Sequence, residues 1–165
     1  MVWSPRVLDV SDTIKAWIAT LASARVTDPE FKPVSSWYAR RYPREEPGVL
    51  AKTVGLVGRV RLVRTTAEMV EAEVPSETDP SKTYRVRIYA TPRFFDFECD
   101  CPHGEHRFNP CKHVIAVVLR ILADSSPMLE DLGLDSILGR RVATLVHYAL
   151  CVHAYLKARQ FSLKA

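Results

Sequence analysis

The chain has 165 residues, 47% of them hydrophobic and 25% charged, and carries a formal net charge of +4. That is the balance of an ordinary soluble globular protein, with enough chain for one sizeable core or two small ones. It falls well short of a histone-like polycation, so charge alone does not establish nucleic-acid binding. Met1 to Leu8 contains an early proline and no continuous apolar run, so no signal peptide is expected. Asn109 and Gln160 are the sole amides. Scarce amides with abundant arginine point to a thermophile.

Taken in order, residues 11–24 predict a helix. Ser11 or Asp12 can cap it, and Ile14, Trp17, Ile18 and Leu21 share one stripe. Asp28-Pro29 and Lys32-Pro33 punctuate a turn, and Ser35 to Tyr42 reads as a short second helix. Its Trp37, Tyr38, Arg40 and Arg41 suit stacking and phosphate contact on nucleic acid. Aromatics at helical spacing more often mark a core, and Trp37 is expected there with the arginines in solvent. Pro43 to Gly48 reads as a linker, which closes an N-terminal helical segment at 1–49.

From Val54 the period becomes two. Residues 54–64, 68–75, 83–90 and 94–99 predict four strands in an antiparallel meander. Val60 and Leu62 alternate with Arg59 and Arg61, Val70, Ala72 and Val74 with Glu71 and Glu73, and Tyr84, Val86 and Ile88 with Arg85 and Arg87. The arginines suggest a phosphate-binding face. Glu71 and Glu73, lying between the two arginine rows, instead predict cross-strand ion pairs of about 0.2–1 kcal/mol each and little net potential. Ser76 to Lys82 is a polar loop.

Cys99-Asp100-Cys101, a nine-residue gap, then Cys111-Lys112-His113 follow. Three thiols and one imidazole form a complete tetrahedral zinc set. Phe95, Phe97, Cys99 and Cys101 share one parity, so in an extended segment both cysteines face one ion. Asn109 reads as an N-cap with Pro110 at the first helical position, which puts Cys111 and His113 in the first turn of a helix over 110–123. A helix N-terminus favours the Cys111 thiolate. A disulfide is disfavoured, because the C-x-C sulfurs face the same way and Cys151 stands alone. Thiols in this state call for a reducing compartment, and a cytoplasmic location is expected. With zinc bound and three thiols ionised, the net charge becomes about +3.

The apolar face of that helix is Val114, Val117, Val118, Ile121 and Leu122. Ser125-Ser126-Pro127 ends it and starts a short helix closing near Gly133. Residues 135–160 then predict one long helix capped by Asp135 or Ser136, apolar nearly all round between Val142 and Leu156. It is too short and too interrupted by histidine to span a bilayer. A helix apolar on every side is buried on every side, so it is central to the C-terminal part or covered by a partner. His147, Cys151 and His153 read as packing residues, and the basic tail from Lys157 to Ala165 is expected to fray.

The Cys99 to His113 stretch resembles the SWIM zinc finger, whose pattern is C-x-C, a variable gap, then C-x-H. Cys101-Pro102, the run Cys111-Lys112-His113-Val114-Ile115-Ala116, and the upstream segments Gly55-Leu56-Val57 and Tyr84-Arg85-Val86 carry the likeness, over about residues 50–123. The resemblance, taken as that of an archaeal member, implies a β-hairpin and helix joined by one structural zinc on Cys99, Cys101, Cys111 and His113. It gives His103 and His106 no role. The resulting fold is α+β: a small antiparallel sheet leading into the zinc-bound hairpin/helix finger at 50–123, flanked by helical segments at 1–49 and 124–165.

A zinc held by four protein ligands has no open position for water or substrate, and no phosphate-cradling Gly-Lys loop or Ser-His-Asp arrangement stands out, so no enzyme is expected. The resemblance implies a role in DNA transactions, in recombination and repair or in transcription. One form of that role is DNA binding, with Arg93, Arg107 and Lys112 as candidate phosphate contacts, moderated by Glu98, Asp100 and Glu105. The other is an adaptor that docks on a RecA-family paralogue, a helicase or a transposase component without touching DNA.

Overall fold

The computed structural model describes residues 10–23, 32–41, 53, 55–102, 110–125 and 137–164. Helix α1 (Val10–Ala22) buries Ile14, Ile18 and Leu21 of the expected stripe and adds Val10, one residue before the predicted start. Trp17 is partly buried beside this stripe; its indole Nε1 donates to the Thr91 carbonyl at 2.7 Å, and its ring stacks on Phe95 with centroids 5.8 Å apart.

Helix α2 (Lys32–Arg41) starts earlier than the sequence suggests. Lys32-Pro33 was expected in a turn. Proline is tolerated in a first helical turn, where its missing N–H has no partner to lose, and here Pro33 lies inside the helix. Trp37 packs against the core and Arg40 is exposed, as the spacing implied.

The predicted first strand is too long. Residues 53 and 55–57 are helical, and β1 is only Arg61–Thr65. Thr53, Leu56, Val57 and Val60 are all buried. Their spacing of i, i+3, i+4 and i+7 is a helical stripe that the neighbouring valines disguised as a strand. Backbone bonds from Arg59 N to Leu56 O at 2.9 Å and from Val60 N to Val57 O at 3.3 Å close the turn. A second departure follows in β1, where all five residues are exposed, Leu62 included. The expected burial of Leu62 fails because β1 is an edge strand with a register shift between Leu62 and Arg64.

Strands β2 (Met69–Pro75), β3 (Thr83–Thr91) and β4 (Phe94–Cys99) complete an antiparallel sheet of order β1-β2-β3-β4. Val70, Ala72, Val74, Val86, Ile88 and Ala90 form its buried face. On the other face Arg85 meets Glu71 at 3.1 Å and Glu73 at 3.6 Å, and Arg87 meets Glu71 at 3.7 Å and Glu98 at 3.2 Å. The cross-strand pairing expected of β3 is present. The β1 arginines differ: Arg61 and Arg64 are in register with Glu73 and Glu71, yet the glutamates are engaged by β3.

Two helices fill the space against the sheet. In α3 (Lys112–Ser125) every residue from His113 to Leu119 is buried, so Ile115, Ala116 and Leu119 join the predicted face and the helix is enclosed on all sides over those seven residues, while Arg120 and Asp124 further on reach solvent. Helix α4 (Ile137–Lys164) packs on α1, α2 and α3. It buries Ala143, Val146, Ala149, Leu150, Cys151 and Val152, but Leu145 in the same stretch is 52% exposed, so the helix is not buried on every side as its all-round apolar pattern predicted. The tail expected to fray is helical through Lys164. Tyr155 is buried and Lys157 is bound to Asp96, which carry the helix past its apolar stretch. Residues of all three predicted segments, 1–49, 50–123 and 124–165, contribute to one core. The predicted linker at 43–48, the short helix closing near Gly133 and the caps Asp135 and Ser136 lie outside the described residues. No described helix is long and apolar enough to cross a membrane.

Polar contacts set the positions of α2 and α4. The Ser35 and Tyr148 hydroxyls lie 2.8 Å apart, and the Tyr38 hydroxyl lies 3.0 Å from His147 Nδ1. Burial pushes the His147 imidazole down from 6.5 to about 4. The unfolded chain therefore takes up this proton more readily than the folded one, and the associated stability is fully present above pH 6.5 and lost as pH falls toward 4. His147→Asn is expected to lose less stability than wild type between those two pH values, in denaturant titrations at saturating zinc; equal pH slopes would contradict the assignment.

Candidate metal centre

The centre forms where β4 ends and α3 begins. Strand β4 delivers Cys99 opposite Val86 of β3. One residue further, the Asp100 side chain accepts the Arg85 N–H at 2.8 Å, and the Asp100 N–H donates to the Arg85 carbonyl at 3.3 Å. This clamp extends the β3–β4 pairing just past the strand, so Cys101, lying in a bend, is held in place without being in the strand. It is 7% exposed.

The second pair differs slightly from expectation. Helix α3 begins at Lys112, and the Cys111 carbonyl accepts the first helical bond, from Ile115 N at 3.2 Å. Cys111 is thus the N-cap residue; Pro110 is not in the helix, and Asn109 lies outside the described residues. The Cys111 sulfur also accepts from the Val114 backbone N–H, three residues on. This is the N-cap bond usually made by a serine or aspartate oxygen. The physical reason is the one proposed from sequence: free N–H groups at a helix start favour a thiolate.

The four ligand atoms of Cys99, Cys101, Cys111 and His113 lie within 4.8 Å of one another. Zinc with Zn–S bonds near 2.3 Å spaces its sulfurs by about 3.8 Å, so ligation needs a contraction of only about 1 Å. His113 is 3% exposed. Its Nδ1 is 3.9 Å from Cys99 Sγ, and its Nε2 is buried with no hydrogen-bond partner among the described residues. A buried imidazole in that condition is costly unless a nitrogen is spent on a metal. The Cys111 thiol points the same way. Hydrogen bonding to Cys101 lowers the Cys111 thiol, but bonding to Cys99, burial and the Cys99 charge together push it up to about 12. A divalent cation at the centre of the cluster reverses that balance for Cys111. The set fits one structural zinc ion.

Three neighbours of the centre make contacts that the sequence did not specify. The Tyr84 ring covers His113 with centroids 4.8 Å apart. Lys112 Nζ binds Glu77 Oε1 of the β2–β3 loop at 2.6 Å, tying the helix start to the sheet. Val86, paired with Cys99 on the neighbouring strand, is fully buried. Each is a contact between segments distant in sequence.

The candidate phosphate contacts do not come together. Arg93 lies in the β3–β4 turn, at the other end of β4 from Cys99, roughly 20 Å away along a six-residue strand. Lys112 is engaged by Glu77, a carboxylate the sequence had not brought to it. Arg107, with His103 and His106, lies outside the described residues.

Residues 84–122 match the family model of the SWIM zinc finger, a span running from Tyr84 through all four ligands into α3. No curated protein and no solved structure matches the chain. SWIM zinc fingers are in general binding modules and not catalysts, and no enzyme family is indicated.

Protein purified without added metal is expected to hold about one zinc per chain by elemental analysis, in line with a filled four-ligand site. Cys101→Ser removes a ligand from a site whose binding energy is on the order of 10–16 kcal/mol and is also folding energy. Cys151→Ser puts a hydroxyl among apolar side chains, at about 1–3 kcal/mol. Cys101→Ser should therefore lower the melting temperature much more and release zinc, while Cys151→Ser keeps its zinc; similar thermal shifts would refute the ligand assignment.

Proposed function

We propose that this chain is a non-enzymatic, zinc-stabilised adaptor in DNA transactions, one that docks on a protein partner and makes few phosphate contacts of its own. The observation that supports it best is the state of the basic residues. Arg85 and Arg87 are paired with Glu71, Glu73 and Glu98, Lys112 with Glu77, and Lys157 with Asp96. Phosphate would have to displace a carboxylate at each of these positions, so counterion release yields little. The zinc centre serves to fix the sheet against α3 and so to hold the surface in one shape. By its likeness to the SWIM finger, the partner belongs to the recombination machinery, such as a RecA-family paralogue, a helicase or a transposase component.

A second reading, DNA binding by the chain itself, is favoured by one observation. Arg59, Arg61 and Arg64 are exposed, and no ion pair joins them to a carboxylate among the described residues.

Duplex DNA retention at several salt concentrations separates the two. Each phosphate contact contributes about 0.9 to the slope of log K against log salt. The adaptor reading predicts a shallow slope that Lys112→Ala leaves unchanged. A slope worth several contacts, flattened by substituting the arginines of β1, would replace it with the second reading.

A further inference from the structure

The two edges of the sheet are treated differently. At β4, helix α4 closes the edge. His153 sits between Phe95 and Phe97, with ring centroids 5.1 and 5.2 Å away. Asp96 binds His153 Nε2 at 3.1 Å and Lys157 Nζ at 3.0 Å. Burial alone would raise the Asp96 carboxyl, but the bonds from His153, Lys157 and the Phe97 N–H hold it at about 2. Nothing among the described residues covers the other edge. Every residue of β1 is exposed, with Leu62 at 38% and Val63 at 43%.

The geometry of β1 suits one more strand. Thr66 N donates to the Met69 carbonyl at 2.8 Å, and the pairs Thr65↔Val70 and Arg64↔Glu71 follow. Hydrogen-bonded and non-bonded pairs alternate in an antiparallel ladder, so the Thr65 N–H and C=O point away from β2. Val63 has no partner on β2 and forms a bulge. That extra residue sets Arg61 and Arg64 on the same face, opposite Glu73 and Glu71, despite their odd separation.

We propose that the open edge of β1 docks an extended acidic segment of a partner protein, which adds to the sheet as a further strand. The inference rests on the adaptor reading and names the surface that performs it. Charge chooses the occupant. Arg59, Arg61 and Arg64 line the edge, and Glu71 and Glu73 behind them are already engaged by β3. A second copy of this chain would bring two sets of these arginines into one interface, where like charges across strands are unfavourable. Charge and a bulge on an edge are devices against self-pairing. They leave acidic strands as the complementary partner, main-chain bonds giving affinity and the arginines giving selectivity.

The test uses the full zinc-loaded chain and two synthetic ten-residue probes, one alternating Glu and Val, the other Lys and Val. The Glu-Val peptide should shift the amide resonances of residues 61–65 and the Lys-Val peptide should not. Thr65→Pro removes the outward N–H from an edge position that tolerates proline, and should weaken binding by about fivefold with zinc content unchanged. Arg61→Glu with Arg64→Glu should reverse the preference to the Lys-Val peptide. No shift at 61–65 with the Glu-Val peptide overturns the proposal. So do shifts there with duplex DNA alone, or a dimer in sedimentation that Arg61→Glu with Arg64→Glu strengthens. A native partner captured equally by wild type and by that double variant would leave the adaptor reading standing and remove β1 from it.

Discussion

Two short ligand pairs on one metal ion are the constraint on which the rest of this structure depends. Cys99 and Cys101 leave the end of β4, and Cys111 and His113 open α3, so a single zinc ties the sheet to the helix that is buried on all sides from His113 to Leu119. The position of α3 sets the positions of everything packed around it, including β3, β4, α1 and α4. A structural zinc site carries on the order of 10–16 kcal/mol, comparable to the whole net stability of a typical domain, about 5–15 kcal/mol. The core therefore organises around the metal as much as the metal sits on the core.

Local devices prepare the ligands before the ion arrives. The Asp100 clamp on Arg85 fixes the end of the hairpin. The Cys111 sulfur caps α3 through the Val114 N–H, so one atom serves the helix and the metal together. Lys112 and Glu77 brace the same helix start from outside. These contacts lower the entropy that metal binding must overcome.

Away from the centre, charge is arranged more for closure than for display. The β3 arginines are held by glutamates of β2 and β4, and Asp96 gathers His153 and Lys157 over the β4 edge. Among the described residues the sheet and the finger thus hold several of their cations in ion pairs, while Arg59, Arg61 and Arg64 stand exposed at one edge of the sheet. Exposed cross-strand pairs contribute little individually, so their main effect is on which partners the surface can attract.

The ligand set was legible in the sequence because zinc chemistry is local: residue type and spacing specify a tetrahedral site before any tertiary contact is known. The apolar stripe of α1, strands β2 to β4, the ion pairs of Glu71 and Glu73 with β3, and the existence of the long helix α4 were legible for the same reason, since period and alternation are properties of neighbouring residues. The 53–60 region reads as strand in the sequence because Leu56, Val57 and Val60 fit both an apolar run and a helical stripe, and packing chose the helix. Only the tertiary structure decided that β1 is exposed, that α3 is enclosed on every side from His113 to Leu119, that Glu77 reaches Lys112, and that Asp96 meets His153 and Lys157. Each depends on which distant segment comes to lie alongside, and no period in the sequence records an edge strand's missing neighbour or a carboxylate 57 residues from its histidine.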